Sequence, residues 1–394
     1  MSARPGIMWR GLWHTAALRE AEAVGPGDPR LVISLRDLVD LHDQHLAQLR
    51  QDGSRQHQAA RAAGDDAAGR ESRRARGRVE ARVRRRQRAA EERVLAALEV
   101  TLAPSDPALV DTLLHLAELS WDINEFEAFA PLERALALRE RAPGPDHPET
   151  LRLVRRLAGW HTTLGRFGEA EPLWRRALAD LDRRAVAGGV ADVEERRGLF
   201  HELGKTYNAL DRHAEAEATW RSWLALPAPT IPNDPTGYLR ASTHLDPLYG
   251  AARACAAPGN WAAAEPLFRR AVAAHRLCPK DPIYERAGAI WFGLDAGLRD
   301  LARTLHALDR DGEAAICYEG ALAARRGGRP RWAEGDLPPR LREYGAILRA
   351  LGRRAEALAA EARAAAVQHA VDAHRAEMRP PATRRGGQDQ PAPA

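Results

Sequence analysis

The sequence is poor in cysteine, methionine and lysine, and it has no long apolar run. Three cysteines in 394 residues, widely spaced, provide neither a disulfide framework nor a paired-cysteine metal site. No segment approaches the roughly eighteen apolar residues that a membrane span requires. The N-terminus also lacks the charged-then-apolar order of a signal peptide. Together these absences predict a cytoplasmic protein without a membrane span.

Motifs for catalysis and cofactor binding are also missing. The stretch from Gly198 to Lys205 resembles a phosphate-binding loop, but five residues separate its glycines where the motif has four, and no strand precedes it. His42 and His45 share a predicted helix, yet no further ligand completes a metal site. The sequence contains no nucleophile elbow. We therefore expect a protein that is not an enzyme and that uses no cofactor, metal or small-molecule substrate.

What the sequence does contain is a repeat. The ten residues from Glu169 read EAEPLWRRAL, and related stretches begin at Glu215 and Ala263. Their second residue, an alanine, has equivalents at spacings of 42, 46, 48, 50 and 43 residues: Ala128, Ala170, Ala216, Ala264, Ala314 and Ala357. In most copies a large side chain follows four residues later and a small one seven residues later. Because these positions share one face of a helix, the pattern predicts helices that pack closely on a neighbour.

A second pattern precedes these alanines. Its best copy, residues 200–220, reads F-x-x-L-G-x-x-Y and then A-x-x-x-W, close to the tetratricopeptide pattern. Pairs such as Asp106-Pro107 precede the apolar-periodic segments, where aspartate caps a helix and proline fits its first turn. Each repeat is therefore predicted to be a hairpin of two helices.

The connector at residues 144–151 reads GPDHPETL and matches the connector of the kinesin-light-chain type of tetratricopeptide repeat. The chain resembles this family over about residues 94–367, with a further unit near residues 8–50. The resemblance implies an all-α solenoid, a right-handed superhelix of about six or seven helical hairpins. It also implies a non-catalytic scaffold that binds other proteins, but it names no partner, because such arrays bind many unrelated molecules.

Composition divides the chain into four predicted segments. Residues 1–52 are expected to form an atypical N-terminal repeat or cap, and residues 53–93 a basic insertion rich in Arg, Ala and Gln, flexible or helical. Residues 94–367 are the predicted repeat array. Residues 368–394 are the predicted disordered C-terminal tail.

The basic character of the chain comes from residues 70–93. This segment has eleven arginines and four glutamates, a net charge of +7, whereas the whole chain carries +5 and the remainder therefore −2. Three interpretations stay open: a solvated basic helix, contact with nucleic-acid phosphates, or contact with an anionic membrane or protein surface. The second would make the protein a nucleic-acid-associated regulator. No aromatic residue is interleaved to stack on the bases of a single strand.

The first helices of successive tetratricopeptide repeats line a concave groove, and this resemblance predicts a binding site. Counting from the anchor alanines places ten residues on the groove: Arg155, His201, Lys205, Asn208, Tyr249, Arg253, Arg299, Arg303, Arg342 and Arg349. Arginine suits the bidentate capture of carboxylates. We therefore predict that the groove binds an acidic segment of a partner protein.

Three of these residues have particular predicted roles. Some family members hold a peptide carboxylate with lysine and asparagine, and Lys205 and Asn208 are of that type. Tyr249 is predicted to be an apolar platform for the peptide. The alternative is that the arginines form salt bridges inside the array, for example Arg299 or Arg303 with Asp300 or with a glutamate of a neighbouring repeat.

Overall fold

A computed structural model describes residues 23, 25, 28–62, 66–103, 106–186, 192–227, 245–277, 294–325 and 337–377. Within these ranges the chain forms fourteen α-helices and one short 3-10 helix, with no strand. The all-α prediction is confirmed. The chain divides into two compact units, residues 1–188 and 189–394, and each is described by itself. The predicted helix near residues 8–22 lies outside the described residues.

Unit 1 consists of three helical hairpins in the described residues. Its helices are α1 (Pro29–Ala62), α2 (Asp66–Thr101), α3 (Pro107–Ile123), α4 (Phe129–Arg141), α5 (Pro148–Thr163) and α6 (Phe167–Val186). Each odd-numbered helix packs on the helix that follows it. One core joins the first five helices through the buried side chains of Leu35, Val94, Leu113, Leu132 and Val154.

The basic segment is helical wherever it is described. Residues 53–62 are the end of α1, and residues 66–93 are the first part of α2, so both helices extend well beyond the length of the other repeats. The two helices pack closely, since a Cβ atom on Gly53 would lie 1.6 Å from Nη1 of Arg76. Ser72 also donates a hydrogen bond to Gln56 at 2.7 Å. The boundaries of the four sequence segments remain predictions.

The helix starts follow the predicted capping chemistry. Before α3, the side chain of Asp106 accepts a hydrogen bond from the backbone N–H of Ala108 at 2.8 Å, with Pro107 in the first turn. This bond satisfies one of the N–H groups that have no partner inside the helix. Before α5, Nδ1 of His147 accepts from the N–H of Glu149 at 3.3 Å in the same way.

The connector at residues 144–151 is held by its buried threonine. The hydroxyl of Thr150 donates to the carbonyl oxygen of Gly144 at 2.8 Å. Gly144 has a φ of 128°, a backbone conformation in which glycine has no Cβ to clash. An ion pair of 2.7 Å between Arg139 and Glu149 closes the turn from outside. The sequence motif therefore encodes one specific turn between hairpins.

Unit 2 consists of four helical hairpins in the described residues. Its helices are α7 (Val193–Ala209), α8 (His213–Leu224), α9 (Leu245–Ala256), α10 (Trp261–Leu277), α11 (Leu294–Ala307), α12 (Asp311–Arg325), α13 (Leu337–Ala350) and α14 (Arg354–Glu377). With unit 1 this makes seven hairpins, within the six or seven expected. Helix α14 runs ten residues into the predicted tail, because alanine-rich sequence favours helix.

The anchor alanines are buried, as the repeat pattern predicts. Ala216 is fully buried, and Trp220, four residues later, fills the space between α7 and α9. A Cβ atom on Gly204 or Gly250 would lie 2.4 or 2.5 Å from the Trp220 ring, so both helices approach it through glycine. Gly204 thus has a packing role rather than a role in binding phosphate.

Two exceptions to the repeat pattern have a physical explanation. Trp223 stands where the pattern has a small residue, and its buried ring lies 4.9 Å from the guanidinium of Arg197, a cation–π contact. Glu361 stands where the pattern has a large apolar residue. It lies against Gly345 and forms an ion pair with Arg349. In each exception, the unusual side chain contacts an arginine.

Candidate functional site

The ten predicted groove residues divide between the two units. Arg155 lies on α5 of unit 1, and the other nine lie on the first helices of the unit 2 hairpins, α7, α9, α11 and α13. The candidate site is therefore built from unit 2. Its main feature is a series of polar contacts from each first helix to the next.

Arg155 contributes to an open cleft on unit 1. The cleft has a volume of about 640 Å³ and is lined by Asp111, Leu114, Arg139, Glu149, Arg152, Leu153, Arg155 and Arg156. Glu149 lies 2.7 Å from Arg139 and 3.8 Å from Arg152, so it neutralises part of the charge of these arginines. Four arginines and two carboxylates give the cleft a basic character.

Helices α7 and α9 are joined through His201 and Asn208. The two ring nitrogens of His201 lie 3.2 Å from Glu202 and 3.6 Å from Asp246. Burial disfavours the protonated ring, but the hydrogen bonds to Asp246 and Glu202 outweigh it and raise the pKa of His201 to about 9. Asn208 donates to the carbonyl oxygen of Gly250 at 3.2 Å.

Lys205 is exposed and lies 3.3 Å from Glu202 on its own helix. The two cations of this helix that were predicted for the groove, Lys205 and protonated His201, are therefore matched by Glu202 and Asp246. The side chain of Asn208 is already engaged with α9. The structure thus gives the predicted Lys205–Asn208 carboxylate clamp competing partners within the protein.

Helices α9 and α11 share one carboxylate. Arg253 donates to Oδ2 of Asp300 from Nε at 3.3 Å and from Nη2 at 2.9 Å. Arg299 donates to Oδ1 of the same residue at 3.0 and 2.8 Å. Asp300 is buried, and the two guanidinium groups occupy its two oxygens. This is the internal salt-bridge alternative, realised for two of the predicted arginines.

Arginines nearer the C-terminal end of the site are more open. Arg303 is 57% exposed and lies 3.8 Å from Glu343 on α13. Arg349 is equally exposed and pairs with Glu361 on α14. Arg342 is exposed and has no ion pair within the described residues. Together with Lys205 on α7, these three side chains are the accessible part of the predicted groove.

Tyr249 requires a correction. It was predicted to be an apolar platform for a peptide, but it is only 1% exposed. Its ring centroid lies 6.3 Å from that of Phe268, and its hydroxyl lies over Gly297, where a Cβ atom would be 1.8 Å away. The position belongs to the core side of α9, so Tyr249 packs the hairpins together and offers no surface to a ligand.

Sequence reasoning missed two elements of the site. Arg340 and Asp295 form a largely buried ion pair of 2.9 Å between α13 and α11, which positions these two helices beside the exposed arginines. Glu361 of α14 reaches across to Arg349. The failure of the repeat pattern at Glu361 was a signal in the sequence, but the pattern alone did not indicate its partner.

Metal and membrane chemistry find no support in the described ranges. No cluster of His, Cys, Asp or Glu there could hold a metal ion. His42 is half-buried, and burial lowers its pKa. Cys255 is buried and its pKa is raised by burial to about 11. Among the described helices, none combines the length and apolarity that crossing a membrane would require.

Comparison with known families identifies the hairpins. The tetratricopeptide repeat family model matches residues 111–182, which run from α3 to α6. Residues 111–182 therefore match the tetratricopeptide repeat family. The match confirms the resemblance predicted from the sequence, and the tetratricopeptide fold indicates a protein–protein interaction scaffold of a typically non-catalytic kind.

A curated protein and two solved structures are similar to parts of this chain. Mouse (Mus musculus) nephrocystin-3 is 35% identical over 75 residues, which cover 17% of this chain and 6% of nephrocystin-3. BtubC (BKLC) from P. vanneervenii is 18% identical, with a TM-score of 0.42 over 73% of this chain and 100% of its own. A kinesin-light-chain-like protein with TPR-like repeats from Podosopora anserina is 20% identical, with a TM-score of 0.38 over 60% and 99%. The chain therefore spans a small part of the curated relative it matches.

Proposed function

We propose that this protein is a non-catalytic scaffold whose second unit binds an acidic segment of a partner protein. The observation that carries the proposal is an excess of positive charge on its first helices. Five of the predicted groove arginines face three carboxylates, of which Glu361 lies on the second helix α14: Arg253, Arg299, Arg303, Arg342 and Arg349 against Asp300, Glu343 and Glu361. Two positive charges therefore remain unmatched in this group.

The accessible arginines can exchange one carboxylate partner for another at a small cost in free energy. Exposed ion pairs contribute only about 0–1 kcal/mol each, because water screens both groups. The pair between Arg303 and Glu343 is exposed and 3.8 Å long, so a partner carboxylate can replace Glu343. Arg342 is available without displacing any ion pair within the described residues. An acidic segment lying along α11 and α13 would meet Arg303, Arg342 and Arg349.

Arg253 and Arg299 have a different role in this proposal. Their shared partner Asp300 is buried and fixed by the surrounding helices. Replacing these arginines would leave a buried carboxylate without its counter-charges and would destabilise unit 2. They orient the site, whereas Arg303 and Arg342 contact the partner. A binding test must therefore use the second pair.

The test measures the binding of a labelled twelve-residue peptide of alternating glutamate and leucine by fluorescence anisotropy. Wild type is compared with Arg303→Glu/Arg342→Glu and with the control Arg270→Glu/Arg363→Glu, which changes two exposed arginines on second helices. We expect the first variant to weaken binding by about tenfold or more, since each lost contact is charge-assisted. The control variant should bind like wild type.

A peptide with glutamine in place of glutamate tests the role of charge. It should bind at least tenfold more weakly than the acidic peptide to the wild-type protein. Equal loss in both double variants would point to a general charge effect and would refute the proposed site. Circular dichroism at each protein's working concentration verifies that the variants remain folded.

A further inference from the structure

A line of four arginines on α2 forms a second basic surface, separate from the proposed peptide site. Arg74, Arg78, Arg82 and Arg85 follow one another at steps of four, four and three residues. Such steps place all four within a sector of about 80° around the helix axis. All four side chains are exposed, and none forms an ion pair within the described ranges. We call this row the arginine stripe.

None of the glutamates in residues 71–92 of α2 forms an ion pair with the arginine stripe within the described residues. Glu80 lies 3.3 Å from Arg76, which crosses towards α1. Glu91 is buried and lies 3.2 Å from His115 of α3. Glu92 lies 3.0 Å from Arg88, which also reaches Glu127. Glu71 is exposed and lies one turn before the stripe begins. Three of these four glutamates therefore pair with residues outside the stripe, and the stripe arginines keep their positive charge unpaired within the described residues.

The helix that carries the arginine stripe is packed into unit 1. The C-terminal part of α2 enters the core of unit 1 through Val94 and Leu98. Further towards the N-terminus, Val83 is buried, and Ser72 is bonded to Gln56 of α1. The stripe thus lies on the outer side of a helical hairpin that is anchored in the repeats. Because the helix is anchored, the backbone positions of the four arginines are already ordered before a rigid anion binds.

We propose that the arginine stripe binds the phosphate backbone of double-stranded DNA. The four arginines lie within twelve residues of helix, and eleven helical rises give a length of about 16 Å, which matches about five phosphates along one strand. The major groove of B-form DNA, about 12 Å wide, admits an α-helix, whereas the narrow major groove of duplex RNA does not. Phosphate contacts of this kind carry no sequence information, so the binding is independent of sequence.

Other anionic partners fit the arginine stripe less well. Neither α2 nor the described part of α1 contains an aromatic residue that could stack on the bases of a single strand. An interfacial membrane helix needs an apolar face beside its basic one. Val79 is the one exposed large apolar side chain of α2 near the stripe, and Val83 is buried. The surface therefore suits a rigid polyanion that needs no apolar contact.

The test uses the full chain and a labelled 20-base-pair DNA duplex of arbitrary sequence, with affinity measured by anisotropy from 50 to 200 mM salt. Wild type is compared with Arg74→Ala/Arg78→Ala/Arg82→Ala/Arg85→Ala. The control, Arg141→Ala/Arg270→Ala/Arg354→Ala/Arg363→Ala, removes the same charge from exposed arginines that also lack ion pairs in the described structure. Alanine preserves helix propensity in α2.

We expect wild type to bind with a logarithmic salt slope of about −3 to −4, because each neutralised phosphate contributes about −0.9. The stripe variant should bind the duplex about tenfold or more weakly, and the control variant should bind like wild type. A duplex RNA and vesicles containing one-third phosphatidylserine are measured in parallel. Preferential binding to either, absence of DNA binding at 50 mM salt, or equal loss in the control would overturn the proposal.

Discussion

Arg253 of α9 donates two hydrogen bonds, at 3.3 and 2.9 Å, to a single oxygen of Asp300 on α11. The other oxygen of Asp300 accepts from its sequence neighbour Arg299. One buried carboxylate therefore joins two consecutive hairpins of unit 2. The same arginines that suggest a basic groove in the sequence act here as structural cations, and only those beyond them remain accessible.

Replacing Asp300 with asparagine should destabilise unit 2. The asparagine amide has a single accepting oxygen, so it cannot accept hydrogen bonds from both Arg253 and Arg299. We therefore expect a loss of about 1–3 kcal/mol in the free energy of unfolding. Urea unfolding followed by circular dichroism measures this loss. The matched control is Asp111→Asn, since Asp111 is 71% exposed and 3.9 Å from Arg139. The control should change stability by less than about 0.5 kcal/mol, and equal effects would contradict the structural role of Asp300.

Two glycines of α7 should respond to alanine with opposite signs. At Gly204 the new methyl group would meet the Trp220 ring at 2.4 Å, and we expect overpacking to cost about 1–3 kcal/mol. At Gly198 nothing lies within 4 Å, so the gain in helix propensity should stabilise the protein by up to about 1 kcal/mol. Thermal unfolding of the two variants tests this. A stabilising Gly204→Ala would show that Trp220 does not pack as described.

His201 should make the stability of unit 2 depend on pH. Its pKa is raised from 6.5 to about 9 in the folded protein, so its contribution is complete below pH 6.5 and is lost as the pH rises through 9. We expect His201→Gln to be on the order of 2 kcal/mol less stable than wild type at pH 6. The difference should shrink by pH 10. Urea unfolding at both pH values measures it, and a difference independent of pH would leave only a packing role for His201.

The connector between hairpins should depend on the hydroxyl of Thr150. Thr150→Val keeps the shape of the side chain but removes the hydroxyl's hydrogen bond to the carbonyl oxygen of Gly144, which keeps only the N–H of His147, at a cost of about 1–2 kcal/mol. Thr163→Val is the control, because Thr163 is exposed and bonds only to the carbonyl of Gly159 in its own helix. Thermal unfolding compares the two. A smaller loss for Thr150→Val than for Thr163→Val would contradict this view of the connector.

The sequence alone determined the hairpin architecture. The anchor alanines, the large side chain four residues later and the Asp-Pro helix starts all act within one or two helical turns. Such local relations can be counted along the chain, and Ala216 with Trp220 shows how directly they become packing. The predicted tetratricopeptide repeats and the number of hairpins followed from the same local periodicity.

Only the tertiary structure decided which charges remain available. Asp300 receives Arg253 from 47 residues away, and Glu361 of a second helix reaches Arg349 of a first helix. Tyr249 shows the same limit, since a small error in helix phase separates a groove position from a core position. On α2, Glu80 and Glu91 pair with Arg76 and His115, and the arginine stripe stays exposed. Ion pairing depends on the reach of long side chains across neighbouring helices, and the order of residues along the chain does not specify that reach.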